Sequence, residues 1–141
     1  MGFHHTAFAS KDIMATHEFY TKHTGFELAK VNIGPTENGG WAKHLFYEMS
    51  PDTYIAFWEL HDEKLPTAWS PAISTGQGLP LWVNHLAFRA ASLEDIAARR
   101  DRWLEHGHDV MEIDHGWCTS IYTVDPNGIL VEFCVTTQAM T

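Results

Sequence analysis

The chain has 141 residues, room for one compact domain or for two half-size modules sharing a core. Apolar residues make up 45% of it and aromatic residues 13%, which supplies a core and excludes a disordered polymer. The formal charge of −9, with only nine Lys and Arg, argues against nucleic acid and anionic membranes as partners, because both need basic patches.

No basic stretch followed by an apolar run opens the chain, and no apolar run is long enough to span a bilayer. A soluble cytoplasmic protein is expected. The two cysteines, Cys118 and Cys134, form no CxxC pair and suggest no disulfide framework. Cys134 lies in a strand-like run and reads as a small core filler. The compositional excess is in histidine, with ten in the chain.

Taken in order, the elements occur twice. His5-Thr6-Ala7-Phe8-Ala9-Ser10 alternates as a half-buried strand does, and His85-Leu86-Ala87-Phe88-Arg89-Ala90 repeats the pattern. A helix follows each. The first runs from about Asp12 to His23, marked by Ile13, Phe19 and Tyr20, with Gly25 just past its end. The second opens at Ser92 with Asp95 placed as in a capping box, carries Ile96, Trp103 and Leu104, and stops at Gly107. Three strands are then predicted per half, at roughly 26–33, 41–49 and 53–60, and at roughly 108–113, 118–124 and 129–135. Ser50-Pro51-Asp52-Thr53 and Asp125-Pro126-Asn127-Gly128 supply the matching turns.

The stretch 61–80, with Pro66, Pro71, Pro80, Gly76 and Gly78, reads as a linker. The expected fold is therefore α+β, with βαβββ modules at 1–60 and 81–141. Neither module can bury a sheet face alone, so the two sheets are expected to pair into an open, barrel-like cleft. The sequence leaves open whether they pair within one chain or by exchange in a homodimer.

His5 and His85 occupy equivalent places in the repeat, on the strand faces of Ala7 and Ala87. Glu132 lies within Ile129-Leu130-Val131-Glu132-Phe133-Cys134-Val135, where an ionised carboxylate is costly unless paired or bound to a cation. Two His and one carboxylate on strands form the facial set used for non-haem Fe(II), with positions open for substrate and oxygen. A divalent metal held by His5, His85 and Glu132 is expected. A lone strand His is usually structural, but two repeat-related His with a buried-looking Glu favour metal.

Six residues on from Pro126 stands Glu132, and six on from Pro51 stands Phe57. Phe57 is therefore expected where a fourth ligand would be, with Glu59 as a substitute if the register slips. Alternation turns His4 away from His5, while His17, His23, His61, His106 and His108 are expected in helix or loops. Trp41, Phe57, Trp58, Trp69 and Trp82 are candidates to wall an aromatic pocket, or else ordinary core and interface residues.

Across nearly its whole length the chain resembles the vicinal oxygen chelate superfamily of paired βαβββ modules. That group includes glyoxalase I, methylmalonyl-CoA epimerase, fosfomycin-resistance and bleomycin-binding proteins, and type I extradiol dioxygenases. Phe19-Tyr20 through Thr24-Gly25-Phe26, and Asp125-Pro126-Asn127-Gly128 followed by Glu132, carry the general likeness. Ile113-Asp114-His115, then Ile121-Tyr122, Asp125-Pro126-Asn127-Gly128 and Glu132, resembles the signature of extradiol ring-cleaving dioxygenases. Typical extradiol enzymes carry a second module pair, and this chain has one.

The resemblance implies His5, His85 and Glu132 as iron ligands, with His115 and Tyr122 near the substrate. It implies a further catalytic His on the third strand of the first module, where His44 is the candidate; a surface strand residue is the plainer alternative. The expected activity is an Fe(II)-dependent cleavage of a catechol-like diol by O2, as in aromatic catabolism. Ligand type also admits Mn(II), Zn(II) or Ni(II). Rival expectations are a metal-dependent glyoxalase, epimerase or fosfomycin-type thiol transferase, or a metal-free bleomycin-binding module.

Overall fold

A computed structural model of the chain, describing residues 1–140, contains two four-stranded mixed sheets and few helices. The chain forms two compact units, Met1–Ala72 and Ile73–Thr141. Each unit is a βαβββ module with an open sheet. This is the α+β, two-module architecture that the repeat predicts.

In the first unit β1 (His5–Ser10) leads into α1 (Ile13–Glu18), which continues as a π-helical turn over Phe19–His23. Asp12 caps α1, its carboxylate accepting from the Ala15 amide at 3.0 Å. Gly25 then leaves the helix at φ 88°, a conformation that suits glycine. Three strands follow, β2 (Glu27–Pro35), β3 (Trp41–Ser50) and β4 (Thr53–His61), in sheet order β1-β4-β3-β2. β1 runs parallel to β4, and the other pairs are antiparallel.

The second unit repeats this plan with β5 (Leu86–Arg89), α2 (Leu93–Glu105), β6 (Met111–Asp114), β7 (Cys118–Val124) and β8 (Leu130–Thr136), ordered β5-β8-β7-β6. Ser92 caps α2 through the Asp95 amide at 3.0 Å, and the Asp95 carboxylate reaches back to the Ala91 amide at 2.9 Å. His85 stands immediately before β5 rather than inside it.

The helix in each unit covers one sheet face. In the first, Phe8, Tyr20, Tyr47 and Phe57 form the core, with Tyr20 and Phe57 rings 4.8 Å apart. In the second, Trp103 and the guanidinium of Arg99 pack on Phe133, at 5.3 and 4.2 Å. Burying one such ring stabilises by roughly 1.5–3 kcal/mol. The other sheet face, reached by every second residue, carries the site residues. Among the described residues no helix is long and apolar enough to cross a membrane.

Candidate metal and substrate site

Register shows which residues share the face away from the helix. In the second unit Ala87 pairs with Glu132, and Glu132 with Tyr122. His85, Glu132, Tyr122, Ser120, Cys118 and Cys134 therefore lie on one side of the sheet. His85 Nε2 is 2.9 Å from Glu132 Oε1, and the Glu132 side chain is 8% exposed. His85 Nδ1 is 2.9 Å from the Trp82 carbonyl oxygen.

These two contacts test the fit of a cation. A carbonyl only accepts, so Nδ1 carries the hydrogen and a neutral ring presents its lone pair at Nε2. A lone pair facing a carboxylate oxygen is repulsive unless a proton or a cation lies between them. The Trp82 carbonyl supplies the outer hydrogen bond that usually orients a ligating His. The pair fits a divalent metal. Within either unit, among the described residues, no three His, Cys, Asp or Glu side chains gather as a metal cluster.

His115 and Tyr122 are also brought to this face. His115 follows β6, and its Nε2 is 2.9 Å from the Tyr122 hydroxyl. Tyr122 sits directly across from Glu132. Burial first, then the charge and hydrogen bonding of Glu132, push the phenol above its ordinary value, partly offset by Ser120. Tyr122 is thus held as a neutral phenol at physiological pH.

His5 and His44 belong to the first unit. Register places both on the face away from α1, since His5 pairs with Tyr54 and His44 with Trp58 in the same strand β4. Their rings are 6.5 Å apart. His44 is 7% exposed and stacked on Trp58 at 3.6 Å, so it is not a surface strand residue. Its Nε2 is buried with no hydrogen-bond partner. Burial, and then the neighbouring His5, lower its pKa, leaving a neutral ring able to take a proton.

Several expectations need correcting. Ala56, not Phe57, is the counterpart of Glu132, because Ala7 pairs with Ala56 as Ala87 pairs with Glu132. Phe57 points to the opposite face and is fully buried against Tyr20. Between the equivalent pairs Glu48–Tyr54 and Val124–Leu130 both connections hold five residues, but Pro51 is the third of them and Pro126 the second, so counting from the prolines misleads. Glu59 shares the face of Phe57, paired with Lys43 in register and 3.4 Å from its Nζ and 3.5 Å from His61 Nε2. Its Oε2 makes no hydrogen bond, yet the Lys43 ammonium stands close enough to satisfy it electrostatically.

His4 does not turn away from His5. It precedes β1, where alternation does not apply, and its Nδ1 is 2.9 Å from His5 Nδ1. His17 bonds the buried Tyr47 hydroxyl at 3.0 Å, and His61 ends β4 stacked on Trp41 at 3.9 Å. Of the aromatic candidates, only Trp58 joins a site histidine by ring stacking; Trp82 contributes its carbonyl, and Trp69 lies under Lys11 at 4.6 Å. Phe46, 5.4 Å from His5 and 4.2 Å from His44, was not singled out, although alternation from His44 points to it. A cavity of about 490 Å³ near Trp41, His61 and Asp62 contains none of the site residues.

The sequence pattern described as the Glyoxalase/Bleomycin resistance protein/Dioxygenase superfamily matches residues 2–133. The chain belongs to this superfamily. Comparison with curated proteins gives no match. Among solved structures, a glyoxylase/bleomycin resistance protein/dioxygenase domain from Frankia sp. EAN1pec is similar at 16% identity and TM-score 0.73, covering 96% of this chain and 98% of that one. TnmS3, an antibiotic binding protein from Streptomyces sp. CB03234, is similar at 19% identity and TM-score 0.65, with 97% of each chain covered. A variant of the fosfomycin resistance protein FosX from Listeria monocytogenes, in complex with Mn(II) and 1S,2S-dihydroxypropylphosphonic acid, is similar at 19% identity and TM-score 0.62, covering 99% and 94%. At these identities the likeness is one of fold.

Proposed function

We propose that this superfamily member is an extradiol-type dioxygenase that opens a catechol-like ring with O2, using Fe(II) held by His5, His85 and Glu132. The observation that carries the proposal is the His115–Tyr122 contact of 2.9 Å, set beside Glu132 on one sheet face. Glyoxalase, epimerase and thiol-transferase chemistry would use the His85–Glu132 pair equally well, and a metal-free binding module would need neither. The His115–Tyr122 pair favours ring cleavage, where a neutral donor next to the ligand carboxylate has a task.

When bound, Fe(II) supplies Lewis acidity toward two adjacent diol oxygens and the redox partner that O2 requires. The remaining steps belong to the chain. Tyr122 stays protonated because burial and the Glu132 charge disfavour phenolate. With His115 donating from Nε2 to the phenol oxygen, the Tyr122 hydrogen is left to bond a substrate oxygen. His44 Nε2, buried and unpartnered, is the proposed acceptor of a diol proton. Phe46 and Trp58, flanking His44, offer ring faces to an aromatic substrate.

The proposed assembly is a homodimer. Sedimentation equilibrium reads the copy number. The decisive experiment is anaerobic loading with Fe(II), followed by a panel of catechols with oxygen uptake and a search for a yellow ring-opened product. No uptake with any diol, in protein shown to hold iron, would remove the proposal.

A further inference from the structure

Two Asn-Gly steps occur in the chain, Asn38–Gly39 between β2 and β3 and Asn127–Gly128 between β7 and β8. Each can close on itself chemically. The glycine amide nitrogen reaches the asparagine side-chain carbonyl carbon through a five-membered ring, and glycine has no Cβ to hinder the approach. The dipeptide gives both steps the same lability, so tertiary structure decides between them.

Asn127 is 4% exposed. Its backbone N–H donates to Asp125 Oδ1 at 2.8 Å and its carboxamide to Asp125 Oδ2 at 3.2 Å. The Gly128 N–H, which would supply the nucleophile, donates to the Asp125 carbonyl at 3.1 Å. These bonds must open before the ring can form. Asn38 and Gly39 are instead exposed, on the rim of the cavity beside Trp41 and His61. A Cβ built on Gly39 would meet nothing within 4 Å, so a ring there has room. The Gly39 N–H makes only a long bond, 3.4 Å, to the Thr36 carbonyl. The ends of this turn are fixed. The Thr36 N–H donates to the Gly40 carbonyl and the Gly40 N–H to Thr36 Oγ1, both at 3.0 Å, while Thr36 Oγ1 donates to Asp62 at 2.9 Å. Freedom is thus confined to the two residues that react.

We propose that Asn38 is a site of spontaneous deamidation in the folded protein, and that the fold protects Asn127 from the same reaction. The Gly39 nitrogen gives its proton to solvent base and bonds to Asn38 Cγ. The Cγ–Nδ2 bond then breaks, and ammonia leaves with a proton returned from solvent. Water opens the resulting succinimide at either carbonyl, leaving an aspartyl or an isoaspartyl residue at position 38. One water enters and one ammonia departs, with no oxidant or reductant. Either product sets a new carboxylate beside Asp62 and Glu63 on the cavity rim. The Lys64 amide first, then the Thr36 and Asn38 side chains, hold the Asp62 carboxyl below its ordinary value. Deamidation removes the Asn38 donor and adds a like charge, both of which raise it. The site is independent of the dioxygenase proposal.

The test incubates the protein in mildly alkaline buffer, folded and in urea, and follows both steps by peptide mapping with mass spectrometry. Electron-transfer fragmentation separates the aspartyl from the isoaspartyl product. In the folded protein Asn38 should convert at least about tenfold faster than Asn127, which reacts only through local opening. In urea the two rates should come within about twofold of each other, because the protecting bonds are gone. Asn38→Gln, which would need a larger ring, should show no product at that position and leave the Asn127 rate unchanged. Equal rates in the folded protein, or an Asn38 that stays intact there while it converts in urea, would overturn the proposal. A rate difference that persists in urea would overturn it too, by assigning the difference to local sequence.

Discussion

His85 Nε2 and Glu132 Oε1 meet at 2.9 Å although the two residues lie 47 apart in sequence. The Trp82 carbonyl accepts from Nδ1, so in a neutral ring the face His85 turns to the carboxylate is its Nε2 lone pair. Glu132→Gln keeps the shape and removes the charge. Metal content after dialysis, measured by elemental analysis, should fall at least about tenfold. Full occupancy in that variant would refute the ligand assignment.

Tyr122→Phe removes one hydroxyl from a sheet face and leaves the ring. Turnover is expected to fall by about 10²-fold, the range of a lost hydrogen-bonding or acid–base group, with an unchanged melting temperature. His115→Ala should lower turnover less, since it only orients the phenol. Equal rates for Tyr122→Phe and the unaltered protein would take Tyr122 out of the proposed reaction.

His108 has its pKa lowered below the usual 6.5 by burial and by His106, so the unfolded chain binds the proton more readily. Its contribution to stability is therefore complete above about pH 6.5 and is lost as pH falls through the folded value. Metal-free protein should melt at a lower temperature at pH 5 than at pH 7.5, and His108→Asn should shrink that difference. Identical pH dependence in the two proteins would contradict the assignment.

Phe57 is fully buried between Phe8, Tyr20 and Tyr47. Phe57→Ala should cost about 3–5 kcal/mol in urea unfolding, as large-to-small core changes do. A loss below about 1 kcal/mol would restore the idea that Phe57 borders an open site.

Cys118 is 2% exposed, and burial, with Cys134 beside it, raises its thiol pKa. Iodoacetamide should leave Cys118 unmodified in the native state and react with it after urea unfolding, read by mass spectrometry. Rapid native labelling at Cys118 would show that β7 opens.

Alternation and helix-cap chemistry are local, so the doubled βαβββ order, the Ser92 cap and the strand positions of His44 and Tyr122 were legible in the sequence alone. His115 bonds Tyr122, and Tyr122 pairs with Glu132 across strands. Pairing of β5 with β8 and of β7 with β8 is a long-range choice, and it alone seats His85 against Glu132 and Glu132 beside Tyr122. Strand pairing decided which face each β4 residue takes: proline sits one residue later in the first turn than in the second, and register sends Phe57 to the core and leaves Ala56 opposite Ala7. Composition and periodicity determined which elements form and which chemistry they carry. Register, which no local pattern encodes, decided which of those groups touch.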